Sequence, residues 1–162
     1  MLSYTTLGVA ACDADHKVRE EGGNNRGARI RQYLDNAGIA QPAPWCAAFV
    51  QYCADVAART LGVPNPLDAV KLEAYVQSYA DQFKTQEVTE AQAQPGDLVL
   101  FSFGGERWDH IGIVAQAPVG GTFWVVEGNT GDVNQRDGDG VYVKPRTMKT
   151  GKRAPLFLRW AA

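Results

Sequence analysis

The hydrophobic period of this chain changes once, at Gln94-Pro95-Gly96-Asp97, and that switch limits what the chain can fold into. Before it, apolar residues recur at steps of three and four, as on an amphipathic helix. After it they alternate, as on a strand with one face buried. Helices that come first and strands that come later describe an α+β protein. Short gaps between the strands make them antiparallel neighbours.

The helical half begins with a segment predicted from about Ser3 to Lys17. Glu20 to Gly27, EEGGNNRG, is a loop, because paired glycines and asparagines break a helix. ARIRQYLDNAG then places Ile30, Tyr33, Leu34 and Ala37 on one stripe, and Gly38 suits the position just past the helix end. After the extended connector IAQPAP, the residues Trp45, Phe49, Val50, Cys53, Val56 and Ala57 define a helix from about Trp45 to Leu61. Pro44 fits at its start, and Gly62 and Pro64 end it. A further helix is predicted over roughly Asp68 to Phe83. Five strands follow: Asp97 to Phe103, His110 to Gln116, Thr122 to Asn129, Gly140 to Arg146 and Pro155 to Trp160. Turns fall at Gly104-Gly105, at Gly120-Gly121 and in DGDG.

The length of 162 residues suits one domain, 1–162, with no spare length for a second. A net charge of −2 argues against a nucleic-acid partner, which calls for a concentrated basic surface. The densest basic run, Arg26 to Arg31, reads as a solvated helix face. No apolar run approaches the roughly 20 residues that span a bilayer. The N-terminus lacks the positive region and the long apolar run of a signal peptide.

Three cysteines are too few and too irregular for a disulfide framework, and two histidines in no ligand spacing argue against zinc. Cys12 and Cys53 read as small packing residues. Cys46 is different, because PAPWCAAFV places it in the first turn of a helix. There the free N–H groups and the macrodipole favour a thiolate, and its own N–H is available to an oxyanion. Packing in the core is the competing role, and helix position alone does not separate the two.

A thiol nucleophile needs a base, and the base needs an orienting group. His110 opens a strand after a glycine-rich turn, where an imidazole can face a cleft; His16 sits among charges and reads as solvent-facing. Glu127 and Asn129, in VVEGN, close the next strand two residues apart, so an extended chain points both to one face. A hairpin joining the two strands brings His110 and Glu127 to the same end of the sheet. A carboxylate there can hold the ring N–H.

PWCAAFV, PGDLVLF, DHIGIV and VEGN, in this order, resemble the CHAP family of cysteine- and histidine-dependent amidohydrolases and peptidases. The likeness runs from about Glu20 to Trp160. It implies a papain-like fold and cleavage of amide bonds in peptidoglycan through a thioester. It assigns Cys46 as nucleophile, His110 as general base and acid, Glu127 as its orienting residue and Asn129 as an additional polar position. Trp45 either walls the cleft as a substrate contact or anchors the helix, and the anchor is preferred. Some members of the family bind calcium through acidic loops. Asp132 to Gly140 has a passing likeness to such a loop, but Val143 stands where the closing glutamate belongs, and a hairpin turn is the expected structure. No metal and no cofactor is expected.

The expected function is thus a peptidoglycan hydrolase, either an N-acetylmuramoyl-L-alanine amidase or an endopeptidase of the stem or cross-bridge. The alternatives are a wall-binding module without activity, and a thiol acyltransferase or deamidase acting on another substrate. The expected partner is the peptidoglycan stem peptide and glycan, with an immunity protein added if the chain is a secreted bacterial effector rather than a phage endolysin. A monomer without a separate wall-binding domain is expected. It would be made in the cytoplasm, released by a holin, a secretion system or lysis, and would act on the cell wall.

Overall fold

Ten of the sixteen residues of one alanine-rich helix are buried, and the rest of the molecule is arranged around it. In the computed structural model, which describes residues 1–71, 75–131 and 138–161, the helices are α1 (Leu2–Asp15), α2 (Ala28–Asn36), the central α3 (Cys46–Leu61) and α4 (Val76–Gln82). Ala47, Ala48, Ala54, Ala57 and Ala58 are all buried, and such small side chains let neighbouring elements approach the α3 backbone closely. Gly62 ends α3 in the left-handed region, φ 65°, and the Val63 N–H returns to the Ala58 carbonyl at 3.0 Å.

The three N-terminal helices share a half-buried ionic centre. Asp13 on α1 accepts both contacts of a forked bond from Arg29 at 2.8 and 3.0 Å, and the Tyr33 hydroxyl at 2.8 Å. The Arg29 guanidinium also lies over the Tyr52 ring of α3. The basic run is therefore not simply a solvated face, because the stripe that buries Ile30 and Tyr33 turns Arg29 toward Asp13. Cys53 is fully buried, and burial pushes its thiol pKa well up, as suits a packing residue. Cys12 departs from expectation: it is exposed on α1, with its sulfur 3.4 Å from the exposed His16 ring.

The strands among the described residues are β1 (Glu87–Val88), β2 (Leu98–Phe101), β3 (His110–Val119), β4 (Thr122–Thr130), β5 (Gly140–Thr147) and β6 (Leu156–Leu158). They form one antiparallel sheet in the order β1-β6-β2-β3-β4-β5. Alternation divides their side chains between two apolar clusters. Leu98, Leu100, Ile111, Ile113, Val126 and Val141 join the helices, whereas Val99, Phe101, Val114, Phe123, Val125 and Phe157 form a second core. Gly120 and Gly121, at φ 60° and 77°, make the tight turn between β3 and β4.

The α+β class holds, with two corrections. The sheet has a sixth strand, because Glu87 and Val88 pair with Leu158 and Phe157. Two residues are too short a run to show a period. The helix expected over Asp68 to Phe83 is two pieces, a 3₁₀ turn at Pro66–Ala69 and α4. The Asn65 side chain caps the short turn by accepting the Leu67 N–H, and Val70 leaves it with extended backbone at ψ 115°. Most of the segment Asp132 to Gly140, read as a hairpin turn with a likeness to a calcium loop, lies outside the described residues. No helix among the described residues is long and apolar enough to cross a membrane.

Candidate active site

Cys46 is the first residue of α3, and Trp45 before it fixes where that helix starts. The Trp45 ring is fully buried, stacks on Tyr33 with centroids 5.5 Å apart, meets Phe49 edge-on, and donates its Nε1–H to Glu20 at 2.9 Å. A ring enclosed on these sides has the surroundings of a helix anchor. Behind it lies Gly128 of β4. A Cβ there would stand 2.7 Å from Phe49 and 2.8 Å from Trp45, so only glycine lets β4 lie against the start of α3. The Cys46 side chain is nearly buried, and no backbone hydrogen bond among the described residues uses its N–H.

His110 opens β3 opposite Phe101 and is fully buried. The Asp109 carboxylate closes the loop before it, accepting the N–H groups of Phe103 at 2.9 Å and Gly104 at 2.7 Å. The ring lies among Phe101 and Phe103, whose centroids are 6.1 and 5.9 Å away. Its Nε2 is 2.7 Å from Glu127 Oε2. Its Nδ1 is buried and has no hydrogen-bond partner. With Nε2–H given to the carboxylate, the lone pair of a neutral ring belongs to Nδ1. Cys46 is close enough to this ring to shift its titration.

Glu127 is also fully buried, and Gly112 makes room for it. A Cβ on Gly112 would stand 2.8 Å from Glu127 Cγ and 2.5 Å from Val125 Cγ1. The carboxylate is held from its other side by Arg146 of β5, whose Nε reaches Oε1 and whose Nη2 reaches Oε2, both at 2.6 Å. The Arg146 guanidinium is itself buried and packs over Phe101 and Phe103 at 5.2 and 5.6 Å.

These contacts decide the charge states. Burial by itself lowers the His110 pKa, but the Glu127 carboxylate and the nearby Cys46 outweigh it and raise it to about 9. Burial by itself raises the Glu127 pKa, but the Arg146 hydrogen bonds and the His110 charge outweigh it and lower it to about 2. At neutral pH the centre is an ionised carboxylate between an imidazolium and a guanidinium.

The structure thus brings Cys46, His110 and Glu127 to one place. Asn129 is close in sequence but differs from expectation. Its φ is 54°, and the β4–β5 register shifts between Glu127 and Thr130, so the alternation that was to place it beside Glu127 is broken at Asn129 itself. Its side chain is almost buried and makes no hydrogen bond to His110 or Glu127. His16 is exposed at the C-cap of α1.

Arg146 was not foreseen. A signal for it existed. Lys144 and Arg146 lie two apart, and the β4–β5 register pairs them with Val125 and Phe123, the buried face that also carries Glu127. Two buried cations on an inward face call for an anion nearby.

The family model for the CHAP domain matches residues 38–129, more than half of the chain. The chain belongs to the CHAP family. The matched span includes Cys46, His110, Glu127 and Asn129 and ends before Arg146. No curated protein matches the chain.

Proposed function

We propose that this CHAP-family chain is a hydrolase that cleaves an amide bond of peptidoglycan, with Cys46 as nucleophile, His110 as general base and acid, and Glu127 as the orienting residue. One observation carries the proposal: Glu127 occupies His110 Nε2, which leaves the buried Nδ1 unpartnered and close to a cysteine at a helix N-terminus.

His110 Nδ1 takes the proton of the Cys46 thiol and holds it as an ion pair, the imidazolium state that its raised pKa favours at neutral pH. The sulfur then attacks the scissile carbonyl carbon, and the Cys46 N–H, with the α3 N-terminus behind it, faces the developing oxyanion. Collapse of the tetrahedral intermediate breaks the C–N bond, and His110 donates its proton to the departing amine. The raised pKa of the ring keeps that proton in place until it is needed. Water, deprotonated by His110, attacks the thioester and frees Cys46. Glu127 stays ionised throughout because Arg146 holds it, and it stabilises the imidazolium. Asn129 is a supporting polar group at the end of the same strand.

Digestion of purified peptidoglycan, with products read by mass spectrometry, tests this. Soluble fragments with a newly freed L-alanine amine identify an amidase. New termini within the stem or cross-bridge identify an endopeptidase. Intact peptidoglycan from several cell-wall types after exposure to folded protein would refute the proposal.

A further inference from the structure

Two guanidiniums at the loop before His110 meet no carboxylate among the described residues. Arg107 lies over the Tyr75 ring at 5.4 Å and donates to the Tyr75 hydroxyl at 3.2 Å. Arg153 lies over the Trp108 ring at 3.8 Å. Both arginines are exposed. The acids of the loop do not reach them. Asp109 accepts the Phe103 and Gly104 N–H groups, and Glu106 is exposed and forms no ion pair among the described residues.

The fold sets both stacks beside the catalytic end of the sheet. Trp108 is half-buried against the helical core and gives its N–H to Gln77 of α4 at 3.0 Å. Two residues along α4, the Tyr79 hydroxyl donates to the carbonyl of Ala47, the residue after Cys46. That helix therefore bridges the start of α3 and the loop before His110. The turn that carries Arg153 docks on the same loop, with the Lys152 N–H donating to the Ser102 carbonyl at 2.6 Å. Gly151 makes this approach possible: its φ is 90°, and a Cβ there would stand 2.8 Å from the Ser102 oxygen. Trp108 is two residues from His110, so their Cα atoms lie within about 7 Å of each other.

Stacking on a ring holds a guanidinium in place and leaves its edge N–H groups for a planar anion. With no acid beside it, such a group suits a carboxylate better than a neutral ligand. The whole chain carries a net charge of −2, so this cationic edge is a local feature and not general basicity. We propose that Arg107 and Arg153 form a subsite for carboxylates of the peptide being cut, and so select acidic stem peptides over amidated ones, a role that takes its substrate from the hydrolase function proposed above. An extended peptide rises roughly 3.3 Å per residue, so a carboxylate two to four residues from the scissile bond reaches this edge.

The test compares purified peptidoglycan with the same material after carbodiimide coupling to methylamine, which turns its carboxylates into N-methylamides. Cleavage is followed for wild type and for Arg107→Met combined with Arg153→Met. Sedimentation of Cys46→Ala with each material reads binding without cleavage. Wild type should show a KM roughly tenfold lower on the free form than on the blocked form, with kcat little changed. Salt at about 0.5 M should remove most of that difference. The double variant should show on both forms the KM that wild type shows on the blocked one. Lysine at both positions keeps the charge without the fork and should retain part of the preference. The subsite is overturned if wild type and Cys46→Ala treat the two forms alike, or if the double methionine variant keeps the wild-type preference. Preferential binding of the free form, with no cleavage of either form by wild type, would support the subsite and refute the hydrolase function instead.

Discussion

Replacing Arg146 with methionine would leave the Glu127 carboxylate buried without its forked partner, and the loss can be sized. Both side chains are fully shielded, and the guanidinium meets both carboxylate oxygens at 2.6 Å. Glu127 titrates at about 2 in place of its ordinary 4.5, and of the effects that oppose burial the Arg146 hydrogen bonds are the largest. A depressed carboxylate contributes stability that is fully present above its ordinary pKa. That stability is lost as pH falls from 4.5 through about 2. The displacement corresponds to roughly 3 kcal/mol. Breaking a buried pair from one side typically costs about 3–5 kcal/mol. At about 2–4 °C per kcal/mol for a chain of this size, Arg146→Met should lower Tm by roughly 10 °C near neutral pH.

The pH dependence separates charge from packing. Without Arg146, Glu127 titrates closer to its ordinary value. The stability gap between wild type and variant should then hold steady above about pH 5 and narrow toward about pH 3. Urea unfolding at those two pH values, followed by tryptophan fluorescence, measures it. A gap under about 1 kcal/mol at neutral pH, or one unchanged at about pH 3, would refute the assignment. Arg146→Lys keeps the charge but loses the fork and should fall between the two.

Glu127→Gln removes the charge that does most to raise His110, so the ring pKa should drop clearly below about 9; NMR of the ring C–H signals reads this directly. Wild-type stability should decline as pH rises from 6.5 through about 9, because the raised histidine stabilises fully only below its ordinary pKa, and Glu127→Gln should lack that decline in urea titrations. Gly112→Ala forces a methyl group against Glu127 and Val125 and should cost about 1–3 kcal/mol, with kcat falling more than stability explains. Trp45→Phe loses the bond to Glu20 and part of the stack on Tyr33; a loss of about 1 kcal/mol or more in urea unfolding is expected.

What could be read from the sequence follows physical range. The period of 3.6 marked α3, and a start at about Trp45, one residue early, followed from Pro44 and the apolar stripe. Alternation with glycine turns marked β3 and β4, and their hairpin was enough to place His110 near Glu127. Each of these signals spans a few residues. Arg146 reaches Glu127 only through the β4–β5 register, which was not read across from VVEGN to GVYVKPR. Strict alternation does not carry through Asn129, because asparagine's tolerance of positive φ lets the strand break there. The pair Glu87–Val88 owes its strand character to β6, about 70 residues away, and not to its own pattern.

The most direct test of the site is the initial rate of soluble fragment release from purified peptidoglycan by wild type and by Cys46→Ala, with both shown to be folded by circular dichroism. A fall of roughly a thousandfold or more in Cys46→Ala is expected, because a missing nucleophile leaves only binding and oxyanion stabilisation. Release by Cys46→Ala at a rate near that of the wild type would contradict the role assigned to Cys46, and with it the function assigned to His110 and Glu127.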